Sequence, residues 1–350
     1  MKNTFQIISD ILKNRILVLD GAMGTMIQQY KFSEEDYRGN RFKDYEYPLQ
    51  GNNDLLSLTQ PDSIREIHET FLDVGADIIE TNTFSSTSVA MADYHMENLI
   101  YELNFESAKI AVNACKKYTD LNPNKPRFVA GSIGPTNKTA SMSPDVNDPG
   151  FRAITFDELV DSYSEQIEAL VDGGVDILLV ETIFDTLNAK AALFAITGIF
   201  DKIGYELPIM VSGTITDASG RTLSGQTAEA FVTSVSHLPL LTIGFNCALG
   251  AELMLPYMKR ISRFSNFFTA AFPNAGLPNA FGGYDETPDS IAKFAKEWSD
   301  SNYINIIGGC CGTTPEHIKL MSKVVMNKKP RVLKKKSDNL RLSGLEAFNL

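Results

Sequence analysis

Residues 303–317 have the sequence YINIIGGCCGTTPEH, and this stretch shows how the whole chain is organised. The apolar residues 303–307 predict a buried strand, because β-branched runs bounded by glycine are typical of strands. Thr314 followed by a proline is typical of a helix start. Two adjacent cysteines, Cys310 and Cys311, therefore stand where the carboxyl end of a strand turns towards a helix.

A third cysteine, Cys247, has the same setting, because it follows the strand-like residues 241–246. Three thiols from two strand ends match a zinc site with three thiolates and a fourth position open to substrate. The alternative is that the three are small buried apolar residues. A disulfide between Cys310 and Cys311 is disfavoured in a reducing cell. Cys115 falls within a helix pattern, and we interpret it as a buried apolar residue.

Strand-like and helix-like segments alternate along the chain, which indicates a parallel sheet. The predicted strands are residues 15–20, 77–82, 127–132, 176–181, 208–213, 241–246, 266–271 and 303–307. Eight strand–helix units predict an α/β fold, a (β/α)₈ barrel of the TIM type over residues 1–326. An open doubly wound sheet is the alternative, but no G-x-G-x-x-G motif follows the first strand.

The composition limits the classes of function. The chain has 350 residues and a net charge of -11, which argues against a general binder of nucleic acid or membrane surfaces. Four cysteines are too few for a disulfide framework. The start lacks a signal-peptide pattern, and no run approaches the roughly 18 apolar residues of a membrane span. We therefore expect a cytoplasmic protein.

Polar residues recur where the predicted strands end, at the face on which barrel active sites lie. They include Asp20, Glu80, Asn82, Ser132, Glu181, Asn246 and Asn274. Any one of these residues alone would be interpreted as a strand-end cap. Their recurrence at nearly every strand predicts a polar pocket that is able to hold a metal.

A zinc ion held by three thiolates is electron-rich, so it activates water poorly. It still binds an incoming thiol and keeps it as a thiolate at neutral pH. This chemistry favours alkyl transfer to a substrate sulfur over hydrolysis.

Six motifs together resemble the homocysteine S-methyltransferase family, over about residues 10–326. They are DGAMGT at 20–25, ETNTF at 80–84, GSIGP at 131–135, ET at 181–182, GFNC at 244–247 and GGCCG at 308–312. The paired cysteines with the upstream cysteine are the most specific part. The resemblance implies that Cys247, Cys310 and Cys311 hold zinc, which activates the sulfur of L-homocysteine for methylation to methionine.

The resemblance also implies how the amino acid is held. Asp20 and Glu181 would bind its amino group, with backbone amides of the turn at 21–24 near its carboxylate. The candidate substrate-binding residues are Asp20, Gly21, Ala22, Met23, Gly24, Glu80, Asn82, Ser132, Glu181 and Asn274.

Within the family, the motifs are most similar to those of the N-terminal homocysteine-binding modules of cobalamin-dependent methionine synthases. That similarity implies methylcobalamin, carried on another domain and recharged from 5-methyltetrahydrofolate, as the methyl donor. The folate- and cobalamin-binding modules of the same larger polypeptide would then be partners. The alternatives are an enzyme that uses S-methylmethionine or betaine, and a non-catalytic barrel that binds zinc or thiols.

The last residues, 327–350, differ in character from the barrel. Residues 334–339 are charged and predict a solvated linker. The apolar–polar residues 340–346 follow, and we expect the segment to lead towards a further, folate-binding domain that the chain does not contain.

Overall fold

The computed structural model describes residues 3–217, 219–279, 283–335 and 339–350. Eight parallel strands in these residues form one sheet, in the order β1-β8-β7-β6-β5-β4-β3-β2. The strands are β1 (Leu17–Val18), β2 (Ile78–Glu80), β3 (Phe128–Ile133), β4 (Ile177–Ile183), β5 (Ile209–Gly213), β6 (Thr242–Gly250), β7 (Phe268–Asn274) and β8 (Ile306–Ile307). A parallel bridge between Leu19 and Ile78 joins the first strand to the second. The sheet therefore closes into the (β/α)₈ barrel that the sequence predicts.

Helices follow the strands and surround the barrel. The α-helices of the described residues are α1 (Thr4–Asn14), α2 (Met23–Tyr30), α3 (Glu34–Arg38), α4 (Leu56–Thr59), α5 (Pro61–Asp73), α6 (Ser88–Met91), α7 (Ile100–Leu121), α8 (Phe156–Gly173), α9 (Thr186–Ile203), α10 (Ala228–Val235), α11 (Ala251–Phe264), α12 (Pro288–Asp300) and α13 (Pro315–Val325). Within the described parts of the chain, none of these helices has the length and apolar character needed to traverse a membrane.

The interior of the barrel is filled by alternate residues of the strands, because side chains of a strand point to opposite faces in turn. Leu17 and Ile306 belong to this inner cluster, which is buried and apolar. Ile8 and Leu12 of α1 pack into the same cluster and are fully buried. The N-terminal helix therefore closes the end of the barrel opposite the carboxyl ends of the strands.

Two strands depart from regular geometry near their carboxyl ends. The pairing of β4 with β5 shifts register between Val180 and Ile183, and the pairing of β6 with β7 shifts between Asn246 and Gly250. At these places Thr182, Cys247 and Ala248 have φ angles of 53°, 60° and 54°. A left-handed backbone at residues other than glycine is uncommon and marks irregularities that reorient side chains.

The polar and aromatic segment 31–55 has little sequence periodicity, yet it packs against the barrel. Ser33 caps α3 with a reciprocal hydrogen bond to Asp36. Leu49 and Leu55 from the same segment are fully buried. The segment is thus fixed to the barrel by its own apolar residues.

The C-terminal residues fold back onto the barrel. Strands β9 (Arg341–Ser343) and β10 (Ala347–Asn349) form an antiparallel hairpin. The Thr227 amide donates to the Leu345 carbonyl at 3.0 Å, and the Ser234 and Ser343 hydroxyls are 2.7 Å apart. Residues 336–338 of the predicted linker lie outside the described residues. The division into a barrel and a segment leading to a further domain stays a prediction.

A buried histidine contributes to the pH dependence of stability. His68 lies on α5 and is fully buried, and neither ring nitrogen has a hydrogen-bond partner among the described residues. Burial lowers the pKa of His68 from 6.5 to about 4. The unfolded chain therefore binds a proton at pH 5 that the folded chain does not, so the free energy of unfolding falls as the pH drops below 6.5.

We predict that His68→Leu removes this dependence. Between pH 7 and pH 5 the native chain should lose about 2 kcal/mol through His68, and the variant should not show that loss. Urea unfolding at both pH values measures the difference between the two proteins. His237→Gln, at an exposed position, is the matched control and should behave like the native chain. Equal losses in the native chain and in His68→Leu would contradict the assignment.

Candidate metal and substrate site

Three of the four cysteines converge at the carboxyl end of the barrel. The sulfur atoms of Cys247, Cys310 and Cys311 all lie within 4.8 Å of one another, and all three residues are partly buried. Cys247 comes from the end of β6, and the other two follow β8, with β7 between the two strands. The fourth, Cys115, is buried on α7 away from this cluster, where its sulfur contacts the Phe128 carbonyl at 3.4 Å.

Glycines allow the chain to turn tightly at the paired cysteines. A Cβ on Gly309 would lie 2.2 Å from the side chain of Thr313, which is fully buried. A Cβ on Gly308 would lie 2.7 Å from the Cβ of Leu19 on the neighbouring strand. Gly312 has a φ angle of 80°, which glycine adopts without strain. The glycines thus bring Cys310 and Cys311 against the strand that carries Asp20.

The sulfur geometry fits a zinc ion. In a tetrahedral site with Zn–S bonds of about 2.3 Å, two sulfurs are about 3.8 Å apart. The sulfurs of Cys247 and Cys311 are 3.7 Å apart. Hydrogen bonds with Cys247 and Cys310 lower the pKa of the Cys311 thiol to about 3. The cluster therefore already stabilises one thiolate, which is the form that binds a metal.

Tyr284 borders the thiols and was not among the residues that the sequence suggested. Burial and the neighbouring Cys311 raise its pKa to about 12. The sequence around Tyr284 shows no periodicity, so it offered no signal for this residue.

Three carboxyl groups lie at the opening formed by the carboxyl ends of the strands, which we call the mouth of the barrel. Asp20 and Glu181 are buried, and Glu80 is partly buried. Burial raises the pKa of Glu181 to about 7 and raises those of Asp20 and Glu80 well above their ordinary values, with repulsion from Glu181 adding to both. Asp20 Oδ1 has no hydrogen-bond partner among the described residues. A cation bound here would relieve the repulsion and supply the missing partner.

Neighbouring side chains hold these carboxyl groups. The Ser132 hydroxyl donates to Glu181 Oε1 at 2.5 Å, and the Glu80 amide donates to Asp20 Oδ2 at 3.1 Å. Asn82 is used differently, because its side-chain nitrogen donates to the Asn53 carbonyl at 2.8 Å. The described contacts of that nitrogen therefore tie two loops together.

Two further predicted positions lie at the mouth. Asn274 ends β7, between the thiol-bearing strands, and its buried Oδ1 has no partner among the described residues. The turn that precedes α2 places Ala22 at the N-cap, and no side chain caps this helix. The first-turn amides of Met23 and Gly24 therefore keep the capacity to bind an anion.

His317 has a structural role in this arrangement. Its Nδ1 accepts from the Thr314 amide at 3.1 Å, and its Nε2 lies 2.9 Å from the Glu286 carbonyl. Both ring nitrogens are engaged in capping α13 and fixing the neighbouring loop, so neither is free to bind a metal.

The fold and the site define a closed α/β barrel with a thiol cluster and buried carboxyl groups at the carboxyl ends of its strands. The family model described as homocysteine S-methyltransferase matches residues 17–325. The chain belongs to the homocysteine S-methyltransferase family, and it is a methyltransferase.

Solved structures of the homocysteine methyltransferase MmuM from Escherichia coli are similar to this chain. The metallated form is 22% identical over 92% of this chain and 99% of its own length, with a TM-score of 0.72. The oxidized form is 22% identical with a TM-score of 0.70. The apo form is 21% identical with a TM-score of 0.67. At this level of identity the similarity shows the fold.

We predict that Gly309→Ala weakens metal binding, because the added methyl group would displace Thr313 and, with it, the adjacent cysteines. Titration of zinc against a competing chelator should give a reduced affinity, while circular dichroism remains native. Gly198→Ala is the control, since a Cβ there meets no atom within 4 Å. Unchanged zinc affinity in Gly309→Ala would show that the turn tolerates a side chain.

Proposed function

We propose that this chain catalyses methyl transfer to the sulfur of L-homocysteine, giving methionine, with zinc held by Cys247, Cys310 and Cys311. The observation that supports this most directly is the convergence of three thiols within 4.8 Å at the mouth that also holds three carboxyl groups. Membership of the homocysteine S-methyltransferase family agrees with the proposal. Zinc, when bound there, lowers the pKa of the substrate thiol and keeps it as a nucleophilic thiolate.

The carboxyl groups of Asp20 and Glu181 bind the ammonium group of the amino acid in this proposal. Asp20 follows β1 and Glu181 lies in β4, and these two strands lie apart in the barrel, so an ammonium between the two carboxyl groups is held from two sides. A charge-assisted hydrogen bond is stronger than a neutral one, and the burial of both groups strengthens it further. Ser132 keeps Glu181 in place, and Glu80 adds to the negative potential of the mouth.

The substrate carboxylate binds at the start of α2. The amides of Met23 and Gly24 in the uncapped first turn of α2, with that of Gly21 just before it, would bind this carboxylate at the positive end of the helix dipole. Ala22 differs, since its amide donates to the Thr313 carbonyl at 3.1 Å. That bond anchors the turn to the segment that follows the paired cysteines.

Asn274 supplies a weak fourth ligand for zinc when no substrate is bound. Its Oδ1 is buried without a described partner, at the end of the strand between the two thiol-bearing strands. A neutral amide oxygen binds zinc more weakly than a thiolate does, so the homocysteine thiolate would displace it. A substrate-free crystal structure in which another group fills the fourth position would exclude Asn274.

The methyl donor in this proposal is methylcobalamin on another domain, recharged from 5-methyltetrahydrofolate within a larger methionine synthase. The sequence similarity to homocysteine-binding modules of cobalamin-dependent enzymes supports this choice. The competing donors are S-methylmethionine and betaine. Methionine formation by this chain with each donor in turn separates them.

The competing function is a non-catalytic barrel that binds zinc or thiols. It requires that the protein itself closes the fourth position, with Asn274 or His317 as the candidate ligand. His317 is the histidine beside the cluster in sequence, and both of its ring nitrogens are already engaged. X-ray absorption with and without homocysteine discriminates the two, since an added sulfur neighbour of zinc supports catalysis.

We predict that Cys310→Ala abolishes turnover without unfolding the barrel, because the thiol lies at the rim and outside the apolar core. Removal of zinc by a chelator should have the same effect, and restored zinc should rescue only the native chain. Methionine formation and thermal unfolding are the two measurements. Cys115→Ala, in the buried part of α7, should retain turnover. Full activity of metal-free protein would contradict the proposed function.

We predict that Glu181→Gln weakens homocysteine binding about 10- to 150-fold, which is the loss of a charged contact worth roughly 1.5–3 kcal/mol. Binding of 4-mercaptobutanoate, which lacks only the amino group, should change little. Calorimetry with the zinc-loaded protein measures both ligands. Glu165→Gln, at an exposed position on α8, is the control. Equal weakening of both ligands would show that Glu181 supports the pocket and does not bind the ammonium.

A further inference from the structure

One buried side-chain amide connects the thiol cluster to the Glu181 carboxyl group, and the role we infer for it rests on the proposed function. Asn246 directly precedes Cys247 and is 1% exposed. Its Oδ1 accepts hydrogen bonds from the Thr182 amide at 3.0 Å and from the Ser212 hydroxyl at 2.8 Å. Its Nδ2 donates to Thr182 Oγ1 at 2.7 Å and to Glu181 Oε2 at 3.3 Å. The Asn246 side chain therefore accepts two hydrogen bonds and donates two, so its amide group is fully engaged.

The contacts of Asn246 hold a strained part of β4. Thr182 is β-branched and has a φ angle of 53°, a conformation that such residues rarely adopt. It lies where β4 loses its register with β5. A strained backbone of this kind persists only when surrounding contacts fix it, and such sites cluster at functional positions. The two hydrogen bonds between Asn246 and Thr182 are contacts of that kind.

The backbone on the other side of Asn246 is strained as well. Cys247 and Ala248 have φ angles of 60° and 54°. The same side chain thus links two irregular strand ends, one of which carries the Glu181 carboxylate and the other a zinc-binding thiol. Movement of either strand end would break hydrogen bonds in a buried network, which is costly.

We propose that Asn246 is a positioning residue that fixes the Glu181 carboxylate relative to the Cys247 thiol. The site then recognises the ammonium and the sulfur of one substrate molecule at a set separation. Asn246 acts through Glu181, so it governs the affinity for an amino-acid thiol more than the rate of the chemical step. A thiol without an ammonium group does not use this separation.

The test compares two ligands on the zinc-loaded chain. Asn246→Ala should weaken L-homocysteine binding about 10-fold, the loss expected for about two hydrogen bonds, and should weaken 4-mercaptobutanoate binding less than 2-fold. Ser212→Ala is the matched control, because it removes a hydrogen bond to Asn246 and leaves the contacts with Thr182 and Glu181. It should change both affinities less than 2-fold. In Asn246→Ala, turnover at saturating homocysteine should remain, while the KM for homocysteine rises.

A double-mutant cycle gives the decisive readout. If Asn246 acts through Glu181, the variant Asn246→Ala with Glu181→Gln binds homocysteine no more weakly than Glu181→Gln alone. Additive losses would overturn the inference, as would equal weakening of both ligands by Asn246→Ala. Loss of zinc from Asn246→Ala, measured by atomic absorption, would likewise overturn it by showing a purely structural role.

If Asn246→Ala does not fold, Asn246→Ser carries the same comparison, since it also removes the amide that donates to Thr182 and Glu181. Selective weakening of homocysteine by Asn246→Ser supports the inference, and equal weakening of the two ligands overturns it. Failure of the native zinc-loaded chain to bind homocysteine would instead refute the proposed function, and it would appear before any variant is compared.

Discussion

The closure of the sheet is the constraint on which the rest of the structure depends. The bridge between Leu19 and Ile78 joins the first strand to the second, so the eight parallel strands have no free edge. Closure places every carboxyl end on one rim. Residues that are far apart in sequence, such as Asp20 and Cys311, therefore face the same space. An open sheet with the same strands would spread these side chains along a line, and they would not surround a ligand.

The alternation of side chains along the strands then divides the barrel into two zones. Leu179 and Met210 belong to the apolar interior, and two residues further along the same strands lie Glu181 and Ser212. The polar layer is thus the direct continuation of the core. Its carboxyl groups have raised pKa values because the apolar layer beneath them excludes water. Burying these carboxyl groups lowers the free energy of unfolding, and the charged groups of a bound ligand would offset that loss.

The sequence predicted the eight strands and the converging thiols because both depend on strong local signals. Continuous apolar runs mark strands whose two faces are buried, and the paired cysteines follow such a run after two glycines. The position of Tyr284 and the left-handed φ angle of Thr182 could not be predicted in this way. They depend on contacts between distant segments, and the residue types involved have no local preference for them. The hairpin at 341–349 was missed for a similar reason, since its partner is the surface of α10.

The plug formed by Ile8 and Leu12 has a kinetic consequence. With one end of the barrel covered by a helix and the interior filled by side chains, both substrates of the proposed reaction would reach the thiol cluster through the mouth. A donor seated over the mouth would retain the amino acid beneath it. We therefore expect an ordered sequence for the proposed reaction, in which homocysteine binds before the donor and methionine leaves after it.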